Sequence, residues 1–412
     1  MATRMHLIAR GARITGSILA AVALWGCREA PTEPAAAPSL HRAAVRTYTV
    51  VDLGTLGGST SEARAINARG QVVGVSSTPG DLEWHAFLWE KGVMTDLGTL
   101  GGGFSEARGI NPRGQVVGSS NGYDFSSPHA FLWEKGVMAD LGTLGGGNSS
   151  EAKAINPEGQ VVGWSSTDEE NTDVFAFLWE KGVMTELVTS STSPGLALGE
   201  VAYGINPRGQ VVGQFPGDID RSAFLWEKGV MTDLGTLGGG FSEAHAINPR
   251  GQVVGWSSTD LQYHAFLWEK GVMTDLGTLG GTRSEAWGIT PQGQVVGVSN
   301  TTSEDGHAFL WETGVMTDLG TLGGDISGAF GINPAGQVVG YSETADGETH
   351  AVLWTRKCTR GEGDHDRSGH AERDRQPGLR HQSRESGDGR EHDHERGDPC
   401  LPMGDGGHDD DD

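Results

Sequence analysis

Cysteine is nearly absent from this chain: three in 412 residues, at Cys27, Cys358 and Cys400. None falls in the repeated region described below, so neither a disulfide framework nor a cysteine metal site is available there. Basic residues are scarce as well, 30 against 54 acids, for a formal net charge of −24. That balance excludes the basic surface that nucleic acid phosphates demand, and the excess acid reads most simply as solubility. Long apolar runs are lacking too. The run Ile14 to Trp25, preceded by Arg4, Arg10 and Arg13, is too short to span a bilayer and suits the apolar stretch of a secretion signal. Charged residues make up only 20% while glycine reaches 66, which favours short strands and tight turns over long surface helices.

What the chain has in abundance is repetition. A unit of roughly 42 to 50 residues recurs seven times between Tyr48 and Trp354, a period that marks one supersecondary unit whose apolar face must be covered by its neighbours. Each copy carries Ile-Asn-x-x-Gly-Gln-Val-Val-Gly, then Ala-Phe-Leu-Trp, then Gly-Val-Met-Thr-Asp-Leu-Gly-Thr-Leu-Gly-Gly, with local departures. Asn, Pro and Gly in Ile110-Asn111-Pro112-Arg113-Gly114 suit a type I turn between apolar runs, and Gly136 supplies positive φ between Phe131-Leu132-Trp133 and Val137-Met138. Two hairpins give four short antiparallel strands per copy: a from Ser-Glu-Ala to Ile-Asn, b at Gln-Val-Val-Gly, c at Ala-Phe-Leu-Trp, and d at Val-Met-Thr-Asp-Leu.

Four strands in about 43 residues is the unit of a β-propeller. The expected fold is all-β, a seven-bladed propeller, with an eight-bladed parent or a β-solenoid as alternatives. The seventh copy lacks its own strand d, but Tyr48-Thr49-Val50-Val51-Asp52-Leu53 is a spare strand d at the start. Pairing the two would complete the last blade and remove exposed edges.

The ends are expected to lie outside this ring. Leu24-Trp25-Gly26-Cys27 resembles a bacterial lipobox, so residues 1–27 are read as a lipoprotein signal with Cys27 as the lipid anchor. Residues 28–47 form a Pro- and Ala-rich tether, and residues 48–357 are assigned to the propeller. Residues 358–412 are a Gly, Asp, His and Arg mixture that reads as an eighth repeat out of frame. Back-translating Cys400 to Gly404 and moving one nucleotide forward turns Met403-Gly404 into a Trp codon and permits Ala-Phe-Leu before it. The competing readings of that tail are a solvated acidic segment or metal binding by its histidines.

Ala-Phe-Leu-Trp preceded by His, as at His85, His129, His264, His307 and His350, resembles the bacterial HAF extracellular repeat. The resemblance covers nearly all of the repeated region; Phe175 and Ser222 depart from it in the third and fourth copies. It implies an extracellular or envelope location, with no catalytic residues to transfer.

The repeated side chains are expected to be structural. The His that opens strand c should hydrogen-bond a neighbouring loop, the alternative being a ligand ring; the strand c Trp should fill the core between blades; and the Glu of Ser-Glu-Ala (Glu62, Glu106, Glu151, Glu243, Glu285) should cap the Gly-rich loop, the alternative being a ring at the channel mouth that binds cations. Gly-Thr-Leu-Gly-Gly lacks the Lys-Ser/Thr ending and following helix of a phosphate loop. The b to c loops differ from copy to copy and share one face with the d to a loops, and variable loops on a fixed scaffold build binding surfaces. Tyr123, Asp168, Asp218, Asp220, Arg221, Tyr263 and Asp305 are the ligand-binding candidates. Their expected ligand is an extracellular protein or glycan. No cofactor, resident metal or nucleic acid partner is expected. The alternative is a propeller enzyme acting on glycans or phosphate esters, which needs a nonrepeated acid or histidine cluster at the channel mouth.

Overall fold

The structure, a computed structural model, describes residues 47–123, 127–168, 174–187, 199–216 and 221–356. Two turns set the geometry of each repeat. Lys91 and Gly92 take φ of 50° and 86°, the type I′ pair whose twist matches that of the flanking strands. In the other turn Asn111 N donates to Gln115 O at 3.0 Å. The Asn111 side-chain oxygen accepts from the backbone N–H groups of Arg113 and Gln115, at 3.0 and 3.1 Å. The recurrence of Asn at this position, with Thr290 the exception, is therefore a matter of turn closure.

Strand β1 is Tyr48–Asp52. Blade 1 is β2 (Ser61–Ile66), β3 (Val72–Ser77), β4 (Trp84–Glu90) and β5 (Val93–Asp96). Blade 2 is β6 (Gly101–Ile110), β7 (Val116–Gly122), β8 (His129–Glu134) and β9 (Val137–Asp140). Blade 3 is β10 (Ser150–Ile155), β11 (Val161–Ser166), β12 (Val174–Glu180) and β13 (Val183–Glu186). Blade 4 is β14 (Val201–Ile205), β15 (Val211–Pro216), β16 (Arg221–Glu227) and β17 (Val230–Asp233). Blade 5 is β18 (Ser242–Ile247), β19 (Val253–Ser258), β20 (Tyr263–Glu269) and β21 (Val272–Asp275). Blade 6 is β22 (Gly280–Ile289), β23 (Val295–Thr301), β24 (Gly306–Glu312) and β25 (Val315–Asp318). Blade 7 holds β26 (Gly323–Ile332), β27 (Val338–Thr344) and β28 (Thr349–Arg356).

The sheet order β1-β28-β27-β26 shows that the N-terminal strand supplies the outermost strand of blade 7, as the sequence predicts. The register runs antiparallel from Tyr48 opposite Arg356 to Asp52 opposite Val352. Blades 1 and 2 are joined by one parallel bridge between Trp84 and Phe104; the named strands within each blade pair antiparallel, and isolated parallel bridges join Leu100 to Gly122, Leu279 to Thr301 and Leu322 to Thr344.

Strand b is buried along nearly its whole length, and strand c in its middle, because both faces of each sheet are covered. Val72 joins a cluster with Val339 of blade 7, while Val73 joins one with Val116 of blade 2. Ala86 and Phe131 meet in the second cluster, so the small residue of Ala-Phe-Leu-Trp makes room for the phenylalanine of the next blade. Each such Phe is fully buried and contributes about 1.5–3 kcal/mol. The strand c Trp expectation needs correction: Trp89 and its counterparts flank these clusters only partly buried, and among the described ones only Trp354, covered by Tyr48 and Val50, is fully buried.

Two side chains stitch the seams. Ser105 Oγ donates to Gly98 O at 2.6 Å and accepts from Ala86 N of the preceding blade at 2.8 Å. Asn67 Nδ2 donates to Asn111 O of the next blade at 3.1 Å, and the relay repeats through Asn111, Asn156, Asn206 and Asn248.

Candidate functional site

The seven innermost strands present their side chains to a central channel. The residues immediately after Ser-Glu-Ala, or its equivalent, are Arg64, Arg108, Lys153, Tyr203, His245, Trp287 and Phe330, and they line a cavity of about 440 Å³. This ring is not symmetric. One arc is cationic and the other is aromatic, in a protein whose strands are otherwise near copies.

On the cationic arc, Arg64 Nη2 lies 2.7 Å from Glu62 and its Nε 2.9 Å from Glu106. Arg108 repeats the arrangement between Glu106 and Glu151, at 3.0 and 2.9 Å, and Lys153 meets Glu151 at 2.8 Å. Each arginine bridges its own blade to the next. Burial works against the charge of Glu151, but Lys153, Arg108 and a hydrogen bond from Trp164 outweigh it and hold the carboxyl below its ordinary value. The Ser-Glu-Ala carboxylates therefore do not cap the Gly-rich loop, as the sequence suggested. The neighbouring serine does that work: Ser105 Oγ reaches the Gly98 carbonyl, while Glu106 and Glu151 pair with Arg108.

The aromatic arc is continuous. Tyr203 meets His245 edge-on with ring centroids 5.4 Å apart, His245 stacks on Trp287 at 3.8 Å, and Trp287 meets Phe330 edge-on at 5.6 Å. Arg64 closes the circle with its guanidinium 4.7 Å over the Phe330 ring. His245 is buried; its Nδ1 donates to Ala286 O at 2.9 Å and its Nε2 lies 3.3 Å from Glu243. Burial opposes the charge of Glu243, yet His245, Tyr203 and Trp256 together keep its carboxyl low. Burial pushes the Tyr203 hydroxyl up, reinforced by the charge of Glu243.

Glu285 breaks the pattern. Two residues beyond it stands Trp287 where the other acids have Arg, Lys or His, and across the sheet stands Val298 where Glu151 and Glu243 face Trp164 and Trp256. Among the described residues Glu285 has neither an ion pair nor a hydrogen bond, and burial pushes its carboxyl above the ordinary value. It lines a second cavity of about 350 Å³ with Tyr263, Arg283, Trp287, Asn300, Phe330 and Tyr341. This cavity opens on the face of the b to c loops, since Tyr263 starts β20 and Asn300 ends the body of β23. Tyr341 fits because blade 7 has Gly328 in the Glu position: a Cβ there would meet the Tyr341 ring at 2.5 Å.

The repeated histidines bind strand d of their own blade rather than a neighbouring loop. His85 Nδ1 lies 2.8 Å from Asp96 Oδ2, and Asp96 Oδ1 accepts from Gly98 N at 2.7 Å. His350 is paired in the same way with Asp52 of β1, at 2.7 Å. These five pairs pin strand c to strand d.

Of the candidate binding residues, Tyr263 alone among those described lines the mouth cavity. Its ring is tilted on Trp256 at 5.4 Å and carries the Arg283 guanidinium 4.9 Å from its centroid. Tyr123 is 89% exposed on blade 2, and Asp168, Arg221 and Asp305 sit on blades 3, 4 and 6. The structure does not bring these four to one place. Asp218 and Asp220 lie outside the described residues, as do Cys27, the tether and the tail. What the sequence reading passed over was the position after Ser-Glu-Ala. Comparing the copies there shows Arg, Arg, Lys, Tyr, His, Trp and Phe, a nonrepeated set on a repeated strand. No group of three or more metal-ligating side chains occurs among the described residues.

No protein-family profile matches the chain, and no curated protein matches it. Solved structures do. TolB from Acinetobacter baumannii aligns at 11% identity and a TM-score of 0.40, over 68% of this chain and 79% of that one. The β-propeller domain of the trilobed protease from Pyrococcus furiosus aligns at 9% identity and 0.47, over 72% and 95%. A gluconolactonase from Xanthomonas campestris aligns at 11% identity and 0.40, over 74% and 91%. At these levels the similarity is one of β-propeller fold.

Proposed function

We propose that this chain is a recognition or scaffolding propeller of the HAF repeat type, carried to the cell envelope or beyond and held there by lipidated Cys27, in the outer membrane where the cell has one. Its binding surface is the face of the b to c loops and the channel mouth they surround, and its ligand is an extracellular protein or glycan. One observation carries this reading: the nonrepeated side chains of a sevenfold scaffold gather around one channel, and the cavity at its mouth opens among loops that differ between blades. Fixed frames with variable edges are how binding surfaces are made. The test is binding of the purified chain to intact cells and to isolated envelope glycans, before and after exchange of the b to c loops for one common loop. Binding that survives the exchange moves the site elsewhere. Cys27→Ser shifts the protein from the membrane to the soluble fraction if the anchor reading holds.

A second reading has one observation in its favour. Glu243 and Glu285 stand on adjacent innermost strands, one carboxyl held low and the other pushed up by burial. Diverging carboxyl values are what an acid and base pair requires. Hydrolysis of a glycoside panel that is lost in Glu285→Gln would favour the enzyme.

A further inference from the structure

Resting on the recognition reading, we propose that the mouth cavity between blades 5 and 7 holds one uncharged sugar ring of a glycan, with Glu285 accepting hydrogen bonds from its hydroxyls. The cavity, at about 350 Å³, is in the size range of small-ligand sites. Its walls combine apolar rings with a few polar groups, the mixture that suits a ring with C–H faces and a hydroxyl equator.

The polar groups select for a neutral polyol. Glu285 is a half-buried carboxylate without a donor among the described residues, and a partly desolvated acceptor left unpaired costs free energy that a ligand hydroxyl would recover. Arg283 is exposed, donates to the Tyr263 hydroxyl at 3.3 Å and makes no ion pair among the described residues. It can donate to a sugar oxygen from the rim. A cationic ligand would meet Arg283 at the rim. An anionic ligand would meet Glu285, with Glu243 on the adjacent strand. Repulsion of either kind leaves the uncharged, hydroxyl-rich ligand. Blade 7 contributes by what it omits: Gly328 opens the space that Tyr341 fills, where a Glu side chain would add another charge.

The experiment uses the full chain. Methyl glycosides of glucose, galactose, mannose and N-acetylglucosamine are titrated, with choline as the cationic probe and methyl glucuronide as the anionic one, followed by calorimetry and saturation-transfer NMR. At least one neutral glycoside binds, Glu285→Gln weakens it by about tenfold and Arg283→Ala by severalfold, in line with loss of hydrogen bonds to charged groups. Lys91→Gln, in the exposed c to d turn of blade 1, leaves binding unchanged. If Glu285→Gln does not fold, the exposed Arg283→Ala decides. The proposal is overturned if only choline or the glucuronide binds, if no neutral glycoside binds, or if both variants bind as the parent does. Envelope binding that no neutral glycoside displaces would overturn this proposal while leaving the recognition reading in place; absence of any envelope binding would defeat both.

Discussion

The side-chain amide of Asn333 donates to the carbonyl oxygen of Asn67 at 3.2 Å, across 266 positions of sequence. It is the same contact that Asn67 makes to Asn111 one blade further on, and it joins the last blade to the first. The ring is thus closed twice, by the asparagine relay at the a to b turns and by β1 on the outer edge of blade 7.

Closure by β1 makes the N-terminal segment structural. Deleting Thr47 to Leu53 exposes the edge of β28, uncovers Trp354 and removes buried Leu53. The loss is expected to be several kcal/mol, on the scale of several buried apolar side chains. Thermal unfolding measures it, and an unchanged midpoint would remove β1 from the ring.

One link of the relay is missing by sequence. Thr290 stands where the other blades have Asn; its hydroxyl accepts from Gln294 N at 3.1 Å, but it has no amide to reach Asn333. Thr290→Asn restores the repeat's own contact in a buried position and is expected to add about 1 kcal/mol. The readout is the denaturation midpoint; a lower one would mean that the seam between blades 6 and 7 cannot admit the longer side chain.

Glu243 and Glu285 respond to pH in opposite senses. Glu243 has its carboxyl lowered in the fold, so it contributes stability above the ordinary carboxylate range that is lost as pH falls through its folded value. Glu285 has its carboxyl raised, so its favourable contribution is present in acid and lost as pH rises through its folded value. Glu243→Gln is therefore expected to lower the melting temperature at pH 7, and Glu285→Gln to raise it. Both differences should shrink as pH falls, that of Glu285 first because its carboxyl is raised, and that of Glu243 only below its lowered folded value. Melting scans from pH 3 to 8 check the signs.

Gly328→Ala tests the shape of the mouth. The new Cβ would lie 2.5 Å from the Tyr341 ring and 2.9 Å from Val298 Cγ2, so Tyr341 must turn aside. A cost of about 1–3 kcal/mol is expected, with a change in tyrosine solvent exposure measurable by ultraviolet difference spectra.

Much of the architecture was legible in the residues. The two turn motifs, the four strands and the spare strand at the start follow from short-range chemistry, such as Gly after Lys in a type I′ turn and Asn closing its own loop. The partners of repeated polar groups were less legible, because they depend on how far one blade sits from the next. Glu106 reaches Arg64 of the preceding blade, a contact invisible in any single copy. The channel was hidden for a related reason. Its character rests on one position per copy, and attention to what the copies share passes over the place where they differ.

The register of β1 on β28 places Tyr48 opposite Arg356, so the two ends of the ring lie side by side. The break in the chain could then be moved. Joining those ends by a short linker and reopening the loop at any type I′ turn, such as Lys181-Gly182, would yield a circularly permuted chain with the same seams, channel and mouth. The point at which the polypeptide starts is in this sense a convention, while the order of side chains around the channel is not.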